Sequence, residues 1–289
     1  MLVEFMTPCR KMRRCIMYIK NRVNEDVRMS EKKRLTKSEK RVVIIMIVAA
    51  VIAAAIFAVV MYVNDYYKAT EKALKAILGN ETVVVTEEDG YYLLQKRSDK
   101  SSALPAEGKG IIFYPGGKVD EVAYAPLLLE LAEVGYEVYL VKMPAKLAIL
   151  GSNAAEGIIK NATDITEWTM MGHSLGGAMA ASFSASHDAE IDNLVLLAAY
   201  SLEDLSGLDM DVYSFYGSED QVLNMEKYEE CYGNLSEDVI ETVIHGGNHA
   251  YYAHYGEQAG DGTATITREE QQQRVLDIFL SLELGLGEE

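Results

Sequence analysis

The stretch Met170-Met171-Gly172-His173-Ser174-Leu175-Gly176-Gly177 decides how this chain is read. It follows a short strand-like run at 168–171 and leads into the small residues Ala178-Met179-Ala180-Ala181-Ser182, which suit a closely packed helix. Strand, sharp turn and helix are thus juxtaposed. Gly172 and Gly176 leave room for a turn that holds Ser174 in a strained conformation, with its hydroxyl at the carboxyl edge of a sheet. A glycine-rich turn with no chemical use reads the same in isolation, so the surroundings must decide.

Working outward, short β-rich runs at 82–86, 91–95, 111–114, 137–141, 168–171, 194–200, 212–216 and 239–244 are separated by helical segments that include 124–134, 176–186 and 268–284. The first two runs flank Glu87-Glu88-Asp89-Gly90 and read as a hairpin. Thr267 followed by Glu270 is a capping-box signature for the last helix. Near-continuous apolar strands alternating with helices predict an α/β fold, a mostly parallel sheet with helices on both faces. Only 11 residues, 201–211, separate the strand after the serine's helix from the next one. That is too short for a folded cap domain. A site open to water is expected, with Tyr251 and Tyr252 among its lining.

Three further sites follow predicted strands in an order that suits Ser174 as a nucleophile. Tyr216-Gly217-Ser218-Glu219-Asp220 leaves the run at 212–216, which places Asp220 at the carboxyl edge, with Glu219 as its rival. His245-Gly246-Gly247-Asn248-His249 follows the run at 239–244, and a loop histidine at 249 can reach the serine. His245, at the strand end, suits a capping or buried role, and His254 lies deeper in a tyrosine-rich stretch. The chain order serine, acid, histidine then assigns Ser174 as nucleophile, His249 as general base and one of the two acids as the group that fixes its tautomer. Asp220 is preferred to Glu219 because its position in Gly217-Ser218-Glu219-Asp220-Gln221-Val222 resembles that of the acid in many hydrolases. His173 reads as a packing or hydrogen-bonding neighbour. A zinc pair of His245 and His249 would need one helical face, which Gly246 and Gly247 disfavour, so no metal or other cofactor is expected. Phe113-Tyr114-Pro115-Gly116-Gly117-Lys118 supplies the second wall. The amides of Gly117 and Leu175 are the expected oxyanion hole, each donor worth about 100- to 1000-fold in rate. Lys118 has two readings, a partner for a substrate anion and a solvated surface lysine.

The amino-terminal part has a different character. Residues 1–41 hold 13 Lys and Arg against 5 Asp and Glu, whereas the 22 residues 42–63 hold none of either. At about 1.5 Å per residue that uncharged run spans a hydrocarbon core of about 30 Å. A cleaved signal peptide is the competing reading, but its apolar region is about 7 to 15 residues long and nearer the start. Lys40 and Arg41 before the run and Tyr62, Tyr66 and Tyr67 after it predict a basic cytoplasmic arm (1–41), a single-pass transmembrane helix (42–63), a stalk (64–80) and an extracytoplasmic domain (81–289) at the cell membrane. A start at Met29 leaves this orientation intact. Of totals of 27 basic and 44 acidic residues, 14 and 39 remain in 64–289, a balance that disfavours nucleic acid as a partner. Cys9 and Cys15 lie on the arm and Cys231 is alone in the body, which permits no disulfide within the domain. Ala50, Ala54 and Ala58 are a small-residue stripe of a kind that arises readily in an alanine-rich span, so the oligomeric state stays open.

The segments FYPGGKV (113–119), GHSLGG (172–177), YGSEDQV (216–222) and GGNHA (246–250) resemble the alpha/beta hydrolase fold-5 family of dienelactone-hydrolase-like serine hydrolases. The resemblance covers roughly 110–282, and the stretch 255–262 shares in it without an assigned catalytic role. It implies a minimal α/β-hydrolase fold and hydrolysis of an ester-like bond in a small-molecule substrate. The expected activity is that of a carboxylesterase or thioesterase working through an acyl-enzyme. Acyl transfer on the same fold is the catalytic alternative, and a catalytically silent membrane-bound binding protein is the non-catalytic one.

Overall fold

The computed structural model describes residues 14–15, 17–23, 36–97 and 105–285. The chain divides into two units, residues 1–62 and 63–289. Helix α1 (Lys37–Asn64) contains the uncharged run and buries none of its residues. Among the described residues it is the one helix long and apolar enough to cross a membrane. Much of the basic arm, including Cys9, lies outside the described residues.

The second unit carries strands β1 (Val83–Glu87), β2 (Tyr91–Lys96), β3 (Lys109–Tyr114), β4 (Glu137–Val141), β5 (Glu167–His173), β6 (Asn193–Leu197), β7 (Asp211–Gly217) and β8 (Ile240–Ile244). They form one sheet in the order β1-β2-β4-β3-β5-β6-β7-β8. The β1–β2 hairpin is antiparallel and joins β4 antiparallel. Every other pairing is parallel. Helices α2 (Glu71–Ala76), α3 (Ala125–Glu133), α4 (Ala154–Asn161), α5 (Leu175–Ser186), α6 (Met225–Cys231) and α7 (Arg268–Leu284) complete the unit.

The pleat, with its two-residue period, sorts the apolar side chains between two layers. Ile111, Phe113, Val138, Leu140 and Met171 pack with Leu127, Leu128 and Leu131 of α3 and Val275, Leu276 and Phe279 of α7. Their neighbours Ile112, Tyr114, Tyr139, Val141 and Met170 face the other way, onto Ala155 and Ile158 of α4 and Ala180, Ala181 and Phe183 of α5. Each fully buried Leu, Ile or Phe contributes about 1.5–3 kcal/mol relative to an exposed one, so both helical layers are held chiefly by burial.

Local signals set the ends of several elements. Pro126 stands in the first turn of α3, where its missing N–H costs nothing. Thr267 and Glu270 form the reciprocal capping box of α7, and Gly285 closes that helix in the left-handed conformation at φ 64°. Helix α4 was not among the segments read from the sequence, because eight residues with Gly157 in the middle carry little helical signal. The strand expected at 194–200 ends at Leu197, since the chain turns at Ala198, φ 48°. Among the described residues the link from β6 to β7 contains no helix, and no cap domain is inserted there.

Candidate active site

At the carboxyl end of β5 the chain reverses within one residue. Ser174 has φ 52° and ψ −124°, a conformation that costs a non-glycine residue about 1–3 kcal/mol and persists only where its surroundings impose it. Its N–H donates to Leu197 O at 2.9 Å, and its carbonyl accepts from Ala178 N–H at 3.1 Å. Gly176 has no room for a side chain, because a Cβ would lie 2.1 Å from the Tyr114 carbonyl oxygen. Helix α5 can therefore begin directly against β3. Among the described residues Ser174 Oγ makes no hydrogen bond, to His249 or to any other group.

Asp220 lies in the loop after β7 with its side chain fully buried. Its Oδ1 accepts from the N–H groups of Val222 and Leu223, both at 2.8 Å. Its Oδ2 lies 2.8 Å from His249 Nδ1. A buried carboxylate is tolerated only when hydrogen-bonded, and three N–H donors meet this one. A carboxylate only accepts, so Nδ1 of His249 carries a proton and Nε2 is the ring nitrogen left for chemistry at Ser174. Glu219 instead accepts from Ser218 Oγ at 3.0 Å. The backbones of the two loops are zipped together, with Glu219 N–H donating to Gly247 O at 2.8 Å and Ser218 N–H to Ile244 O at 3.1 Å.

The other histidines differ in kind. His245 is exposed rather than buried, because β8 is the edge strand, and its carbonyl accepts from Arg274 Nη1 at 2.9 Å. His254 is buried, with Nε2 3.3 Å from Gln272 Oε1. Burial first, and the charges of Arg268 and Lys72 after it, depress its pKa to about 4. Tyr252 does not line an open site as expected. The turn after His249 folds it into the core, where its ring lies 5.5 Å from that of His173. Tyr251 is half-buried under the Arg268 guanidinium, 4.3 Å away.

His173 is 1% exposed and ties three loops together. The His249 carbonyl can only accept, so His173 Nε2–H is the donor across their 3.1 Å contact. Burial, then the neighbouring His249, hold the His173 pKa well below 6.5. The ring is neutral, and its Nδ1 must accept. Tyr124 Oη donates to it at 2.8 Å and itself accepts from Gly116 N–H at 3.0 Å. One chain of hydrogen bonds thus runs from the Gly116–Gly117 loop through the residue before Ser174 to the backbone of His249.

Gly117 lies against Leu175, since a Cβ added to Gly117 would come 3.0 Å from Leu175 Cδ2. Among the described residues neither Gly117 N–H nor Leu175 N–H donates to another group of the chain. Next to them Lys118 takes φ 57°, donates its N–H to Lys146 O at 2.7 Å and pairs through Nζ with Asp65 at 3.0 Å. Among the described residues no three His, Cys, Asp or Glu side chains are grouped to hold a metal ion.

A strand-edge serine on a strained turn, a buried acid–histidine pair and two unengaged amides define an α/β protein of the hydrolase class. The sequence model of the alpha/beta hydrolase family matches residues 110–273, more than half of the chain, and the chain belongs to that family. No curated protein matches the sequence. Among solved structures, a protein described as a CIB-like hydrolase, from Thermoplasma acidophilum, shares 16% identity with a TM-score of 0.50, over 68% of this chain and 98% of that one. A thermophilic esterase from Thermogutta terrifontis shares 13% with a TM-score of 0.49, over 72% and 93%. A protein described as a dienelactone hydrolase, from Klebsiella pneumoniae, shares 16% with a TM-score of 0.47, over 64% and 90%. At such identities the likeness is one of fold.

Sequence reading overlooked the bridging role of Tyr124 and gave no contact to Asp261, whose carboxylate accepts from the N–H groups of Gln221, His249, Ala250 and Gly262. Tyr124 carried no signal, being one of 18 tyrosines in a helix-like run. Asp261 stood within the 255–262 stretch that shares in the family resemblance, which was the available hint.

Proposed function

We propose that this protein is a membrane-anchored serine hydrolase that cleaves an ester-like bond, as a carboxylesterase or thioesterase, through an acyl-enzyme. The observation that carries the proposal is the buried 2.8 Å contact between His249 Nδ1 and Asp220 Oδ2, in the loops that flank a serine held at φ 52°. His249 Nε2 takes the proton as Ser174 Oγ attacks the substrate carbonyl carbon. The Gly117 and Leu175 amides receive the charge that develops on the carbonyl oxygen. Collapse of the tetrahedral intermediate expels the alcohol or thiol, which takes the proton from His249 and leaves the acyl group on Ser174. Water then attacks that ester, gives its proton to Nε2, and the acid departs as Ser174 regains the proton. His173 cannot replace His249 as base, because its Nδ1 already accepts from Tyr124 and its Nε2 bears a proton.

The anchor reading rests on the uncharged run within α1, and the orientation on the 13 basic residues of 1–41. One experiment tests both parts. A membrane-impermeant fluorophosphonate applied to intact cells is expected to label the wild type and to leave Ser174→Ala unlabelled, with ester hydrolysis abolished in the same variant. Labelling only after lysis would reject the extracytoplasmic orientation, and undiminished hydrolysis by Ser174→Ala would reject the nucleophile.

A further inference from the structure

We infer that Asp261 is a positioning residue for hydrolysis, its carboxylate holding the acid-bearing and histidine-bearing loops in register so that Asp220 and His249 meet. The inference rests on the reading of Ser174, His249 and Asp220 as the catalytic groups. It begins from the stretch Gly260-Asp261-Gly262, which the reaction itself leaves without a task.

The two oxygens of Asp261 accept four backbone N–H groups. Oδ1 receives those of His249 and Gln221, each at 3.3 Å, and that of Gly262 at 2.8 Å. Oδ2 receives that of Ala250 at 2.9 Å. Gln221 is the neighbour of Asp220, and His249 is the base itself, so a single side chain spans the backbones that present both partners of the 2.8 Å pair. A carboxylate suits this task, because four donors converge on it and an ionised acceptor makes stronger hydrogen bonds than a neutral one.

The surrounding backbone fixes the carboxylate in place. Gly262 O accepts from Asn248 Nδ2 at 2.8 Å. A Cβ at Gly262 would fall 1.9 Å from Glu219 O, so only glycine lets the segment lie on the acid loop. On the other side, Ala259 N–H donates to Tyr67 Oη at 3.1 Å. Asp261 is held from both flanks and is not free to follow either loop alone.

The Asp220–His249 contact could survive without this link only if the loops held their register unaided. Their own backbone bonds join 218–219 to 244–247, upstream of both functional side chains. Downstream, at 221 and 249–250, the connection runs through Asp261.

The test uses the full chain in detergent micelles, with active sites titrated by a fluorophosphonate so that kcat refers to competent enzyme. In Asp261→Ala, kcat per titrated site is expected to fall about 10- to 100-fold with KM within about twofold, since misplacing a catalytic group by 1 Å costs up to about 100-fold. Asp261→Asn keeps one oxygen for three of the four donors but turns the other position into a donor against Ala250. It should lie between Asp261→Ala and wild type. A merely structural role would lower the titre and the melting temperature while leaving kcat per titrated site unchanged, and that result would overturn the inference. If Asp261→Ala does not fold, Asp261→Asn decides alone, by whether its kcat per site is reduced. Failure of the catalytic reading itself would appear separately, as hydrolysis persisting in Ser174→Ala.

Discussion

At the residue scale the candidate site is framed by groups that hydrogen-bond to its loops. Tyr124 is buried and its hydroxyl serves two neighbours, accepting from Gly116 N–H and donating to His173 Nδ1. Tyr124→Phe keeps the ring and its 4.7 Å contact with Phe113, but strands a buried donor and a buried acceptor together. Leaving a buried polar group unsatisfied costs about 1–3 kcal/mol, which for a domain of this size lowers the melting temperature by roughly 2–4 °C per kcal/mol. We expect Tyr124→Phe to melt lower in a thermal scan and to lose kcat, because Gly116 adjoins Gly117, whose amide is the proposed oxyanion donor. An unchanged melting temperature together with unchanged kcat would show that the chain of hydrogen bonds through His173 is dispensable.

At the element scale, the segment after the apolar helix is part of the site's frame. Residues 64–80 read as a stalk in the sequence, yet Ala73 of α2 is fully buried, and Tyr67, Ala76 and Ile77 pack on the core of the second unit. Tyr67 forms a parallel bridge with Val119, two residues past Gly117. Its N–H donates to Lys118 O at 2.8 Å, its carbonyl accepts from Asp120 N–H at 2.9 Å, and its ring lies 5.3 Å from Tyr255. One residue thus joins the loop at Gly117 and Lys118 to the segment that carries Asp261. Tyr67→Ala leaves the backbone bridge but removes the ring contact and the acceptor for Ala259 N–H, each worth about 1 kcal/mol. Lower thermal stability and a lower rate of ester hydrolysis are expected in the full-length variant, and wild-type values for both would reduce this segment to a spacer. Such docking is invisible in the sequence, because the tyrosines after the span are equally well explained by an interfacial belt.

At the scale of the whole molecule the titration of buried histidines contributes to the response to acid. Burial lowers the His254 pKa from the ordinary histidine value of about 6.5 to about 4. Arg268 and Lys72 add to the effect of burial, while Gln272 and Glu269 oppose it. The unfolded chain therefore binds this proton first as the pH falls. Stability linked to His254 is complete above about pH 6.5, declines through the interval down to about pH 4, and changes no further below it. His173, also depressed, acts with the same sign. We expect melting temperatures measured from pH 7.5 to 4.5 to fall less steeply in His254→Gln than in wild type. Parallel curves would show that His254 is not held neutral in the folded protein. The comparison with a variant is needed because the body also carries 39 acidic residues in 64–289, whose protonation changes its self-repulsion over the same interval.

The sequence by itself determined the elements that depend on local chemistry. The glycines around Ser174 mark the turn, because residues without a Cβ leave room for a sharp reversal there. Alternating apolar strands and helices dictate the layered parallel sheet, and the absence of charge over 42–63 dictates one long apolar helix. His249 was legible because it follows a strand whose carboxyl end must open onto the same edge as Ser174, and Asp220 was separated from its neighbour Glu219 only by its resemblance to the acid position of known hydrolases. Only the tertiary structure decided which groups hold these residues in place. The partners of His173 come from a 3-10 turn at 121–124 and from the loop at 249, and those of Asp261 from the loops at 221 and 249–250. Contacts between residues this far apart in sequence leave no periodicity or spacing to read. They exist because buried donors and acceptors must be paired wherever the fold happens to bring them together.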